Sequence, residues 1–131
     1  MAKDYKPLDL LSKEQLKEIR EKKDWINVVS ISLNWLQIIA AMALFFYFPN
    51  VLTFLLSVIV IGSRQFALAV LAHDGAHNLL FSNEKINDFI SQWFCAFPLF
   101  SDNRPYRPYH LAHHRFTESE NDPDLSLSAP F

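Results

Sequence analysis

The sequence predicts an all-α membrane protein, and three observations carry that prediction. Every residue from Trp25 to Ser63 is uncharged, a run of 39 against the roughly 20 that one transmembrane helix needs. Pro49-Asn50 is a turn signal near the middle of the run. All five histidines follow the run, in the clusters HDGAH at 73–77 and HLAHH at 110–114.

With 131 residues the chain has room for one domain, and its single cysteine excludes an internal disulfide framework, so burial must hold it together. The net charge of −2 is too small to point to nucleic acid as a partner. Its distribution is more telling. Residues 1–24 carry seven basic and six acidic side chains, and residues 65–131 carry four basic and eight acidic ones.

Taken in order, the head, residues 1–24, is expected to lie in the cytosol and to form an amphipathic surface helix. Ser12 and Gln15 fit a capping box, and Leu16 and Ile19 follow at helical spacing. A solvated tether is the alternative. Residues 25–48 and 51–72 then form two transmembrane helices of roughly 36 and 33 Å, enough for a hydrocarbon core of about 30 Å. A hairpin of two spans puts both ends on one side. Arg20, Lys22 and Lys23 beside the first span assign that side to the cytoplasm, making the protein an integral, multi-pass membrane protein with its histidines cytoplasmic. A signal peptide cleaved near Ala41-Met42-Ala43 fits poorly, because the apolar run continues through that site.

Between the clusters, Ile86, Phe89, Ile90, Trp93, Phe94 and Phe97 recur at helical spacing with polar residues between them. This predicts an interfacial helix over 83–97, its Phe/Trp face in the headgroup boundary and its end set by Pro98. A second cytosolic helix is expected over 108–120, with Pro108 in its first turn.

At about 100° per residue, His73 and His77 lie about 40° apart, and His110, His113 and His114 fall within about 100°, so each cluster projects its imidazoles from one face. Imidazoles preset on rigid helices lose little entropy on coordination, which points to metal binding. HDGAH lacks the glutamate of the HEXXH zinc peptidases, and five imidazoles exceed one tetrahedral shell. Nitrogen ligands with carboxylates nearby suit iron in oxygen chemistry, and ligand type alone leaves zinc open.

HDGAHNLLF followed by YHLAHHRFTESENDPD resembles the first two histidine boxes of the membrane fatty acid desaturase family. The order of hairpin, box, interfacial helix and box is similar too, over about residues 40–131. The resemblance implies that His73, His77, His110, His113 and His114 are metal ligands of a di-iron centre that uses O2 to introduce a double bond into an acyl chain. It further implies an acyl-lipid, acyl-CoA or acyl-carrier substrate, and an electron donor such as ferredoxin or cytochrome b5. The family's third box, another H-x-x-H-H, has no counterpart in these 131 residues. The chain is therefore expected to be the N-terminal part of such an enzyme and inactive by itself.

Asp74, Glu118, Asp122 and Asp124 are candidates to accept a hydrogen bond from the second ring nitrogen of a ligating histidine, with Asp74 and Asp122 preferred. Gly62, Phe66 and Ala69 lie within about 60° of the His73/His77 face and form a candidate substrate strip toward the metal. Arg64, on the opposite face, is expected to pack against protein, and Cys95 to serve as a small apolar residue. Arg104, Arg107 and Arg115 are candidates for a phosphate or an acidic electron donor, against a solvated loop. Two other functions share the pattern: a carotenoid or hydrocarbon hydroxylase or ketolase on the same scaffold, and a non-catalytic membrane metal-binding subunit.

Overall fold

Uncharged runs and a capped turn leave this chain little choice but helices. A computed structural model describes residues 10–125, and among them there are helices and turns but no strand. Residues 1–9 of the predicted head, and 126–131, lie outside the described residues.

The first helix, α1 (Lys13–Arg20), starts at the expected capping box. Gln15 N donates to Ser12 Oγ at 3.2 Å, and Ser12 N donates back to Gln15 Oε1 at 2.9 Å. It buries none of its residues.

Helices α2 (Asp24–Tyr47) and α3 (Val51–Ala76) form the hairpin, turning at Phe48-Pro49-Asn50. Asn50 caps α3 with Thr53 in a reciprocal pair of bonds of 3.1 and 3.2 Å, so the turn is closed by its own polar groups. Midway along the pair, the buried Ser57 hydroxyl donates to Ala41 O at 2.8 Å. Both helices are long and apolar enough to cross a membrane, and only 22% and 17% of their most apolar stretches are buried. The core helix of a soluble globule would hide such side chains. Here Phe46, Val51 and Ile59 point outward, a surface that calls for lipid or further helices.

Helix α3 runs beyond the expected end at residue 72, to Ala76, and so carries His73 on its last turn. A helix need not stop where the apolar run does, since its backbone bonds are satisfied in water as in lipid.

The segment predicted as one helix over 83–97 is a composite. Helix α4 (Glu84–Ile90), capped by Asn83, continues into a π-helical turn (Ser91–Ala96) and a 3-10 turn (Phe97–Leu99). Its exposed face is the apolar one: Ile86, Phe89, Trp93, Phe94 and Phe97 are each more than two-fifths exposed, whereas Asn87, Ser91 and Gln92 are buried. Such an arrangement is stable when the polar groups find partners inside and the apolar face meets something other than bulk water.

The partners are present. Asn87 Oδ1 accepts from Leu80 N at 3.1 Å and Phe81 N at 3.4 Å, while its Nδ2 donates to Gly75 O at 2.8 Å and Asn78 Oδ1 at 3.1 Å. Gln92 Oε1 accepts from Asn103 N at 2.9 Å, and Asn103 Nδ2 donates to Ala72 O at 3.0 Å. This network joins the end of α3 to the start of α5 (Asn103–Phe116). Around it lies the apolar core of Ile31, Ile38, Leu68, Ala72, Leu80, Phe81, Cys95 and Ala96.

Helix α5 starts five residues before the expected position and ends at Phe116 rather than 120. Asp102 supplies the cap, accepting from Arg104 N at 2.9 Å, and Pro105 occupies the first turn where no amide hydrogen is required. Pro108 is therefore inside the helix, where it costs one backbone bond. After Phe116 the chain reverses, with Glu118 at φ 61°, and returns Asp122 to the helix.

The start of α2 is tied to the segment after α3. Asn27 Nδ2 donates to Leu80 O at 2.6 Å, and Ser82 N donates to Asp24 Oδ1 at 2.8 Å. Farther along, Trp35 Nε1 donates to Phe94 O at 3.0 Å. The packing core and the histidines thus gather at one end of the hairpin.

Candidate metal centre

The imidazoles come from two helix ends. His73 and His77, four residues apart, leave the last turn and the C-cap of α3; His110 and His114, also four apart, leave α5. Spacing by four keeps each pair on one face. The close packing of α3 and α5 brings the pairs together, so that the ligand atoms of all four lie within 4.8 Å of one another.

His110 is the centre of the group. Its Nε2 is 3.0 Å from His77 Nε2 and 2.9 Å from His114 Nε2, and its ring centroid is 4.6 Å from that of His73. Tyr106, one turn earlier, stacks on it at 5.0 Å with the planes 13° apart, which fixes the ring's orientation. His73 Nδ1 lies 3.3 Å from Asp74 Oδ1.

His113 is turned away from the four. Its Nδ1 meets Asp122 Oδ1 at 2.8 Å and Asp124 Oδ2 at 3.1 Å, and Tyr109 donates its hydroxyl proton to Asp124. Asp122 is buried and has further work in the turn, accepting from Glu118 N at 3.2 Å and Asp124 N at 3.0 Å. Of the four candidate carboxylates, Asp74 therefore meets His73, Asp122 and Asp124 meet His113, and Glu118 serves the turn through its backbone N–H.

Burial, and then the neighbouring imidazoles, His73 first, hold His77 and His110 below the ordinary histidine pKa. Both are thus neutral, the form that binds a metal, at and somewhat below neutral pH. The bond to Asp122 pushes His113 the other way, and His113 in turn lowers Asp122.

Opposite contributions to the stability of the metal-free chain follow. Unfolded histidines take up protons below the ordinary pKa while folded His77 and His110 resist, so their share of stability falls as pH drops from that value through their lowered ones. His113 contributes fully below the ordinary pKa, and its share is lost as pH rises through its raised value. Thermal unfolding of the metal-free chain, followed by circular dichroism between about pH 5 and 8, checks this. His113→Gln is expected to abolish the alkaline loss and leave the acid loss; an unchanged profile counts against the His113–Asp122 pair.

Four imidazole nitrogens drawn this close make a donor set that fits a borderline metal such as iron or zinc. The group satisfies the steric side of the fit, because the imidazoles arrive on rigid helix ends rather than on loops.

The remaining sequence candidates are not among the converging ligands. On α3, Gly62 has no atom within 4 Å of where a Cβ would stand, Phe66 is 74% exposed and Ala69 is half-buried. Arg64 donates through Nε to its neighbour Ser63 at 3.3 Å. Cys95 is fully buried, and burial pushes its thiol up to about 12, leaving it an inert apolar residue. Of the three arginines considered for phosphate, Arg104 forms a bidentate pair with Asp102, Arg107 pairs with Asp88, and Arg115 lies 5.4 Å over the Phe116 ring.

Sequence reasoning missed Tyr106, Asn87, Gln92, Asn103 and Gly75. Tyr106 stands four residues before His110, a spacing that could have revealed it. The buried amides leave no such local signal.

Comparisons with known proteins bear out the family resemblance. The family described as fatty acid desaturase matches residues 49–130. A dihydrorhizobitoxine desaturase of Bradyrhizobium elkanii is 39% identical over 74 residues, covering 55% of this chain and 21% of that protein. An omega-3 fatty acid desaturase of Caenorhabditis elegans is 43% identical over 60 residues, covering 45% and 14%. The chain thus spans a small part of the length of the curated relatives it matches. No solved structure matches.

Proposed function

Because this chain belongs to the fatty acid desaturase family, we propose that it is part of a membrane-bound, O2-dependent desaturase that introduces a double bond into a fatty acyl chain. The observation that supports this best is the convergence of His73, His77, His110 and His114 at one end of an apolar helical hairpin. In this reading α2 and α3 span the membrane, the apolar face of α4 rests in the headgroup boundary, and the histidines stand on the cytoplasmic side.

Iron would be held by the four converging imidazoles, and His113, its Nδ1 committed to Asp122 and Asp124, stands beside them as the fifth imidazole of the two boxes. Iron bound there would supply the reduction of O2 that breaking an unactivated C–H bond requires. The protein's own part is to present neutral imidazoles, to orient them through Tyr106, Asp74 and Asp122, and to keep water from an apolar acyl chain. Five imidazoles are few for two irons, so the 131 residues alone are expected to be inactive. The substrate is an acyl-lipid, acyl-CoA or acyl-carrier conjugate, and ferredoxin or cytochrome b5 delivers electrons.

The fatty-acid profile of a desaturase-deficient host tests this, with the longest native polypeptide that carries the sequence expressed beside the 131-residue chain. New double bonds from the former alone are expected. Hydroxylated or keto products would replace desaturation with the sibling reaction. Bound metal without O2 uptake under reduction would make it a non-catalytic metal-binding subunit.

Gly62, Phe66 and Ala69 line the approach of the acyl chain in this proposal. Gly62→Leu and Ala69→Phe in the active polypeptide are then expected to shorten the accepted chain or move the double bond. Product positions unchanged in both would remove the strip from the substrate path.

A further inference from the structure

The carbonyl of Gly75, in the middle of HDGAH, is the point where three parts of the molecule meet. It accepts from Asn78 N at 3.0 Å, from Asn87 Nδ2 at 2.8 Å and from Arg107 Nη2 at 3.0 Å. Arg107 is on α5, one turn before His110, and the same Nη2 also pairs with Asp88 on α4.

A side chain from the helix carrying one histidine pair thereby grips the backbone of the helix carrying the other. Arg107 has little freedom left for a phosphate or an external acidic partner. Its Nε is buried without a hydrogen-bond partner, a cost that a surface arginine free to swing into water would avoid. A guanidinium suits the task because its planar fork can direct several donors from one rigid group, whereas a lysine ammonium is a single point charge on a flexible stem.

We infer that Arg107 is a positioning residue for the metal centre: through the Gly75 carbonyl and Asp88 it fixes the His110/His114 pair relative to the His73/His77 pair. The inference rests on the ligand set proposed above. Asn87 holds the same carbonyl from the α4 side, so loss of Arg107 loosens one pair of histidines relative to the other without releasing the turn itself. Four imidazoles whose nitrogens must meet within a few tenths of an ångström are sensitive to such loosening.

The test compares Arg107→Met, Arg107→Lys and Asp88→Asn with the unaltered 131-residue chain in detergent, using Co2+ alone as the probe. Arg107→Met is expected to weaken Co2+ binding about tenfold or more, in the range that loss of an outer partner costs a metal site. Arg107→Lys recovers a part, and Asp88→Asn falls between them. Amide hydrogen exchange of the metal-free chain is the second measurement. It is expected to quicken at residues 76–81 and along the start of α5 in Arg107→Met, and to stay unchanged midway along α2 and α3. Unaltered Co2+ affinity in Arg107→Met overturns the inference, and so does a loss accompanied by equal loosening throughout the chain. If the unaltered chain binds no Co2+, the ligand set itself fails. Exchange then decides alone: faster exchange confined to the two box segments upholds Arg107 as their coupling, and unchanged exchange ends it.

Discussion

Gly75→Ala is expected to destabilise the chain and weaken its metal binding together, although alanine is the better helix former. A Cβ on residue 75 would stand 2.2 Å from Ser91 Cβ and 2.9 Å from Ser91 Oγ. The first of these atoms is anchored to backbone, so it cannot swing aside, and α3 must move away from the π-helical turn. Overpacking of this kind costs about 1–3 kcal/mol, against a gain of about 1 kcal/mol in helix propensity. The steric term wins because the separation is far below contact distance. The displaced segment is the one that carries His73 and His77, so the damage reaches the centre.

Two companions make the result specific. Gly62→Ala, on the same helix with no atom within 4 Å of its Cβ, is expected to be neutral or to stabilise by up to about 1 kcal/mol. Ser91→Gly introduced into Gly75→Ala removes the opposing Cβ and should recover most of the loss. Thermal unfolding and Co2+ titration of the four chains measure all of this. A Gly75→Ala chain as stable as the unaltered one would mean that α3 and the π-helical turn do not approach as closely as described.

That contact also marks where sequence reading stops. The hairpin was legible because a 39-residue uncharged run with Pro49-Asn50 inside it admits few other arrangements. The capping box at Ser12 was legible because both partners are local. The interfacial segment was legible only as a pattern. Periodicity distinguishes two faces of a helix, and here it separated Phe89 and Trp93 from Asn87 and Gln92, but whether amides turn to solvent or to protein depends on partners far along the chain. Asn87 is buried because Gly75, Asn78, Leu80 and Phe81 await it, and no local rule announces that. The start of α5 was placed too late for a related reason. Pro108 satisfies a helix's first turn in isolation, yet Asp102 offers a cap five residues earlier and Pro105 can take the same role.

The arginines show the same limit from the functional side. Arg104, Arg107 and Arg115 interleave with aromatic and proline residues in a way that invites a phosphate, and each already has an internal partner in the fold. Charge in a sequence states what a side chain could attract. Only the fold states what it has already found.

His110→Ala is expected to eliminate specific Co2+ binding by this chain, while His113→Ala leaves the affinity within about tenfold, the lower limit of what an outer partner contributes. The difference follows from geometry. His110 Nε2 stands within 3.0 Å of two other imidazole nitrogens, so its removal leaves three donors around a gap at their centre. His113 has its Nδ1 committed to Asp122 and Asp124 and is not among the four whose ligand atoms converge. The helical wheel contains the reason: His73/His77 and His110/His114 are both pairs spaced by four, whereas His113 lies about 100° from His114 and faces the returning chain. Co2+ absorption distinguishes the variants, since loss of one nitrogen from the coordination shell changes the visible spectrum as well as the affinity. Equal losses in His110→Ala and His113→Ala would mean that all five imidazoles share one shell and that His113 leaves Asp122 when metal arrives. Retained affinity in His113→Ala, joined with loss of the stability that His113 contributes below its raised pKa, would assign the His113–Asp122 pair to holding the turn after α5, and the metal of this chain to the two spaced pairs.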